Sequence, residues 1–194
     1  SVYGMSATIQ RGDRQDKKML MQLGPIRHRY TAKERAQKQG IGHYVYPRFT
    51  KLVDLNPSEG KNPSDYYRLI MQSELRNMQV VSDTIDCVKR GRTPVIMTKY
   101  KEHAQKLYDM LQGSADHVFL LQGGKSLKER SAIREQMAAV RADESIILVA
   151  IGQYVGEGFN YPRLDTMLLA MPISLEGNVE QHAGRLNRDY EGKK

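Results

Sequence analysis

The chain has 194 residues, enough for one packed domain with an extension, and its apolar and charged content fits a globular core rather than disorder. Its 30 basic against 22 acidic residues leave +8, which suits a polyanionic partner, nucleic acid first. A single cysteine, Cys87, excludes an internal disulfide and a cysteine-built zinc site, the five histidines lack metal-ligand spacing, and no apolar run is long enough to cross a membrane.

This cysteine usage fits a cytoplasmic protein. The opening SVYGMSATIQ carries no signal pattern and reads as the interior of a longer protein, as does the basic end at Lys193 and Lys194. Residues 1–8 fit the end of a buried strand and a turn, and KKMLMQLGP fits a short helix stopped by Gly24 and Pro25. TAKERAQKQ (31–39) is a predicted helix, with Thr31 as cap, Glu34 at the capping-box position and Gly40 at its end. HYVYPRFTKLVDL alternates and is rich in Val, Tyr and Phe, so it predicts a strand; Pro47 makes it an edge strand. After the loop NPSEGKNP, Ser64 caps one long predicted helix that runs to about Lys89. Its apolar positions include Tyr67, Ile70, Met71, Leu75, Met78, Ile85 and Val88, and Cys87 falls on its buried face.

From residue 92 the pattern changes. Apolar runs at 94–98, 117–122, 145–151 and 164–172 alternate with predicted helices at 101–113, 126–141 and 175–188. Continuous apolar strands between helices imply an α/β fold, a mostly parallel sheet covered on both faces. In such sheets function gathers beyond the carboxyl ends of the strands.

Three stretches there carry candidate chemistry. QHAGRLNR (181–188) spaces Gln181, Arg185 and Arg188 by four and three, roughly on one helix face. Two planar guanidinium forks beside a glutamine suit phosphate oxygens; alone, the stretch fits a solvated helix face equally well. AIGQYVGEGFNYPRLD (150–165) follows a strand, and Gly156, Glu157 and Gly158 offer backbone N–H groups to phosphate while Asn160 suits a sugar hydroxyl. Read by itself, it is also a simple glycine-rich link between strands. Gly123, Gly124 and Lys125 lie between a strand and a helix capped by Ser126, as either a phosphate-backbone seat or an ordinary helix start. Thr98 and Lys99 sit at the equivalent edge after PVIMT, and Tyr154 and Tyr161 flank the glycine loop, for base stacking or packing.

These stretches resemble superfamily 2 helicases. GEGFNYPRLDTMLLAMP resembles motif V and its strand, and QHAGRLNR matches the Q-x-x-G-R-x-x-R of motif VI. PVIMTKYKEHAQKL resembles motif IV, LLQGGKSLKER the segment after it, and Ser6, Ala7 and Thr8 the S-A-T of motif III. The resemblance covers residues 92–188, with a short stretch at 1–8. It implies a P-loop NTPase (RecA-like) second domain over 92–194, the tail of a first RecA-like domain at 1–8, and a linker or family-specific segment over 9–91. It also implies site roles. Arg188 resembles the arginine finger on the γ-phosphate, Arg185 its partner, and Gln181 the link to motif V. Gly156, Glu157, Gly158 and Asn160 fall in the nucleotide-facing loop, and Ser6, Ala7 and Thr8 in the coupling motif. Thr98, Lys99, Gly123, Gly124, Lys125 and Gln153 fall on the strand-binding side. Asn160 stands where the family often has Asp, and Ile151 where many relatives have a strand-contacting Thr.

The chain contains no Walker A sequence and no motif II acid pair near its start. On this resemblance ATP and Mg²⁺ are bound mainly by a first RecA-like domain upstream, and the isolated chain is not expected to hydrolyse ATP. The implied parent is an ATP-dependent helicase or translocase with DNA as the favoured partner over RNA, and no membrane role. The alternatives are the motor of a restriction or defence system and a non-catalytic nucleic-acid-binding module.

Overall fold

The computed structural model describes residues 16–28, 34, 42, 44–50, 62–123, 127–152, 161–172 and 186. In chain order the elements are α1 (Asp16–Leu23), α2 (Pro63–Gln72), α3 (Glu74–Lys89), β1 (Pro94–Thr98), α4 (Lys101–Met110), β2 (His117–Leu121), α5 (Leu127–Ala139), β3 (Ile146–Ile151) and β4 (Thr166–Leu169). The four strands form one sheet in the order β2-β3-β1-β4, and every pairing is parallel.

Strand alternation divides the core in two. Val95, Met97, Leu121, Leu148 and Ala150 pack with Met137 of α5, with Phe119, Ile133, Tyr161 and Leu186 against them. Ile96, Leu120, Ile147, Val149 and Ile151 pack with Ala104, Leu107 and Leu111, and with Val80, Val81, Ile85 and Val88 of α3. The period of two in the strands sends successive side chains to opposite faces, which is why the runs are apolar throughout. The result is a three-layer α/β sandwich, with α3 and α4 on one face and α5 on the other. Leu107 has no exposed surface, whereas Leu75 is 73% exposed. Leu107→Ala is expected to cost about 2–5 kcal/mol in urea unfolding. Leu75→Ala is expected to stay within about 0.5 kcal/mol.

Helix ends follow local chemistry. Gly91, at φ +71, closes α3. The Arg92 amide bonds the Cys87 carbonyl at 3.0 Å and the Gly91 amide bonds that of Val88 at 2.8 Å, a Schellman arrangement that needs a left-handed residue. Gly24 ends α1 as expected, its amide donating to the Leu20 carbonyl at 2.8 Å.

Three expectations are corrected. The long helix is two helices, because Ser73 is extended (φ −68, ψ 102). The break frees the Met71 carbonyl, and the Asn77 side-chain amide donates to it at 2.8 Å. It also resets the helical phase. Asn77, Val80, Val81, Thr84, Ile85 and Val88 face inward, while Leu75 and Met78 are exposed. The cap of the first piece is Asn62, not Ser64. Its Oδ1 accepts from Ser64 and Asp65, the Asp65 carboxylate accepts from the Asn62 amide, and Pro63 occupies the first helical position.

The third correction is the strand expected at 43–55. Residues 44–50 are described and form no strand; Tyr44, Val45, Tyr46 and Phe49 are 78–90% exposed. The stretch is held instead by Arg48, whose guanidinium grips Asp83 of α3 through two 2.8 Å bonds. Alternation signals a strand only where an edge receives it, and Pro47 removes one of the donors that pairing would need. The helix expected at 31–39 lies outside the described residues except for Glu34, which is helical.

Candidate nucleic-acid interface

Parallel register brings the carboxyl ends of the strands level. Thr98 pairs with Ile151, Leu121 with Ala150, and Met97 with Leu169. Lys99, Gln122, Gly123, Gly152 and Ala170 therefore share one edge of the sheet. Of the residues expected to bind nucleic acid, Thr98, Lys99 and Gly123 are described, and the fold brings them to this edge. Gly124, Lys125, Gln153, Gly156, Glu157, Gly158, Asn160, Gln181, Arg185, Arg188, Ser6, Ala7 and Thr8 lie outside the described residues. Leu186, within the arginine-bearing stretch, is helical and packs on the α5 face of the core.

Thr98 differs from the expectation in one respect. Its side chain is turned inward, 5% exposed, with Oγ1 2.8 Å from His103 Nδ1. His103 Nε2 lies 3.0 Å from Asn77 Oδ1. The Met71 carbonyl can only accept, so it fixes the Asn77 amide, and Asn77 Oδ1 accepts from His103 Nε2. The Thr98 hydroxyl donates to Nδ1 when His103 is neutral. Burial, then the charges of Arg76 and Lys106, hold its pKa down at about 4. This buried chain runs from the β1 edge through α4 to the α2–α3 junction, tying residues 63–77 to the strand ends.

Other contacts support the same edge. Arg76 Nη1 donates to the Ala170 carbonyl at 2.5 Å, just past β4, and burial lowers its pKa. Lys106 meets Glu74 at 2.6 Å. Lys99 stays exposed, its ammonium 4.3 Å from the centroid of the Tyr67 ring and 5.7 Å from that of Tyr100. A cleft of about 570 Å³ runs along α4 to Gln122, lined by Lys101, Glu102, Gln105 and Lys106 among others. Gln122 Oε1 is buried there, with no hydrogen-bond partner among the described residues. These lining charges are mixed, so the cleft alone selects neither anion nor cation.

The opposite, amino edge is structural. Arg163 donates to the carbonyls of Arg141, Ala142 and Glu144. Asp165 accepts from the Thr93 amide at 3.0 Å and the Thr166 hydroxyl at 2.8 Å. Tyr161 packs in the core and donates to the Met137 carbonyl at 3.1 Å, so it does not present a stacking face to a strand. Glycines and arginines stand out in the sequence, whereas Asn77, His103, Gln122 and the Tyr67–Tyr100 pair do not. Asn77 left a faint signal, a polar residue at the inward spacing of α3. Among the described residues there is no group of His, Cys, Asp or Glu fit to hold a metal ion, and no helix long and apolar enough to cross a membrane.

The fold is the RecA-like one of P-loop NTPases. It matches the structure of T4 UvsW with a TM-score of 0.54 at 20% identity, over 66% of this chain and 25% of that one. It also matches the C-terminal part of the Fun30 ATPase domain, with a TM-score of 0.50 at 16% identity, over 68% and 43%. In sequence the chain is distantly similar to the transcript termination protein A18 of fowlpox virus, 27% identical over 154 residues, 75% of this chain and 32% of that protein. The A18 protein of myxoma virus is 25% identical over 134 residues, 66% of this chain and 27% of the relative. The chain thus spans about a third or less of these curated relatives. No family model matches it.

Proposed function

We propose that the chain is the second RecA-like half of a nucleic-acid-dependent ATPase of the helicase or translocase kind. Arg188 acts as arginine finger and Arg185 as its phosphate partner, with Gln181 linking them to the loop of Gly156, Glu157, Gly158 and Asn160. Lys99, Gly123, Gly124, Lys125 and Gln153 serve the strand. ATP and Mg²⁺ are held mainly by a Walker A domain joined to this one, and Ser6, Ala7 and Thr8 couple the two. The observation that carries the reading is the level carboxyl edge of the parallel sheet, where Lys99, Gly123 and the start of the glycine loop meet. The fold shared with part of an ATPase domain supports the motor, and the similarity to viral transcript termination proteins supports a nucleic-acid substrate.

The residues divide the chemistry between them. A finger places a rigid cation on the charge that develops as the γ-phosphate leaves. Backbone amides and lysines neutralise strand phosphates without reading sequence. The half-site works only when closed on its partner, so closure converts ATP turnover into movement along the strand.

The test is binding of labelled single- and double-stranded DNA and RNA to the chain across a salt series. Affinity should fall linearly with salt on logarithmic axes, single-stranded DNA should bind best, and Lys99→Ala and Lys125→Ala should each reduce the slope by about one. No binding to any of the four at low salt would refute the strand-binding role.

A further inference from the structure

We propose that Tyr67 and Tyr100, with Lys99 over their rings, form a seat for one base and one phosphate of a single strand, so that α2 belongs to the strand-binding surface. The inference rests on the nucleic-acid reading above and extends it to a segment outside the motifs.

Three observations carry it. First, α2 buries none of its ten residues, although it is capped by Asn62 and Asp65 and has Pro63 at its first position. A helix this well defined at its start and this little used by the core has its packing elsewhere. Second, the chain of hydrogen bonds from Met71 through Asn77 and His103 to Thr98 fixes α2 beside the residue that precedes Lys99. Third, the two tyrosine rings meet at 6.0 Å and 57°, with the Lys99 ammonium 4.3 Å from one centroid and 5.7 Å from the other. Among the described residues no carboxylate pairs with this lysine, which is exposed.

Each part suits a strand. A lysine steadied over aromatic faces has less side-chain freedom to lose on meeting a phosphate, and its ammonium keeps donors free for it. Tyrosine rings accept any base, since every base has a π face. Arg68 and Tyr66 are also exposed on this helix, 48% in the tyrosine's case, on faces to either side of Tyr67. The spare charge of +8 favours the polyanion over an apolar partner.

The test uses the 194-residue chain and two fluorescent oligonucleotides of about 15 nucleotides, one of thymidines and one with the same backbone but no bases. Tyr67→Ala and Tyr67→Leu should weaken binding to the base-bearing strand by about 5- to 100-fold and leave the abasic strand nearly unchanged. Tyr67→Phe should bind as the wild type does. Lys99→Ala should weaken both strands and flatten their salt dependence. Equal losses on both strands for Tyr67→Leu would mean that the ring only braces the lysine, and would overturn the stacking. Wild-type affinity in Tyr67→Ala would overturn the seat while leaving the nucleic-acid reading intact. Failure of the wild-type chain to bind either strand would overturn both.

Discussion

Arg188→Ala, made in the proposed parent that joins this chain to a Walker A domain, is expected to lower strand-stimulated ATP turnover by about 10³-fold or more. The size follows from where the charge acts. In the proposed site the finger meets charge that is greater in the transition state than in bound ATP, so the loss belongs to turnover and not to nucleotide affinity. Arg188→Lys should recover little, because an ammonium lacks the planar fork that spans two phosphate oxygens. Strand affinity, which the proposal assigns to the lysines of the sheet edge, should change by less than about threefold. Steady-state turnover with saturating ATP, beside equilibrium strand binding of the same variants, separates the two effects. A variant with near wild-type turnover would remove Arg188 from the catalytic role.

His103→Leu is expected to destabilise the fold by about 2–5 kcal/mol in urea unfolding at pH 7. The leucine fills most of the space but leaves the Thr98 hydroxyl and Asn77 Oδ1 without their partner in a buried place. The same residue gives a pH signature. Its folded pKa, about 4, lies below the ordinary 6.5, so the unfolded chain binds the proton more readily. The contribution is therefore complete above about pH 6.5 and is lost progressively as pH falls toward 4. At just over 1 kcal/mol per pKa unit the loss amounts to about 3 kcal/mol at most. Asp116 also loses stability on acidification, since the Ser145 amide and hydroxyl hold its carboxyl below the usual range. The comparison of wild type with His103→Leu cancels that part. Parallel stability curves for the two proteins between pH 7 and about 4.5 would contradict the buried neutral imidazole.

How much of this was legible in the sequence depended on the range of the interaction. β1 was read to the residue, since Pro94–Thr98 is a continuous apolar run with a helix on either side. The parallel sheet followed from the same alternation of runs and helices. The break at Ser73 was not legible, because helical periodicity tolerates one extended residue. The break is marked by a side-chain bond across it, from Asn77 back to the Met71 carbonyl. The apolar run at 44–49 alternated like a strand but lies exposed, tied to α3 through Arg48 and Asp83 and not to the sheet, so pattern without partner misled. Of the candidate site, glycines after strands and arginines at helical spacing stand out locally. The inward turn of Thr98 does not, because it depends on a histidine one turn into the next helix. The meeting of Tyr67 with Lys99 is also invisible to local pattern, since it joins α2 to the residue after β1, 32 positions further on.

In the proposed motor, ATP turnover answers to a nucleic-acid strand held at the carboxyl edge of this sheet. The most direct test is the rate of ATP hydrolysis by the protein carrying both RecA-like halves, measured with and without saturating single-stranded DNA and RNA. Turnover is expected to be slow alone and to rise severalfold or more with a strand, further with DNA than with RNA. Turnover that is the same with and without any strand, or none in either case, would contradict it.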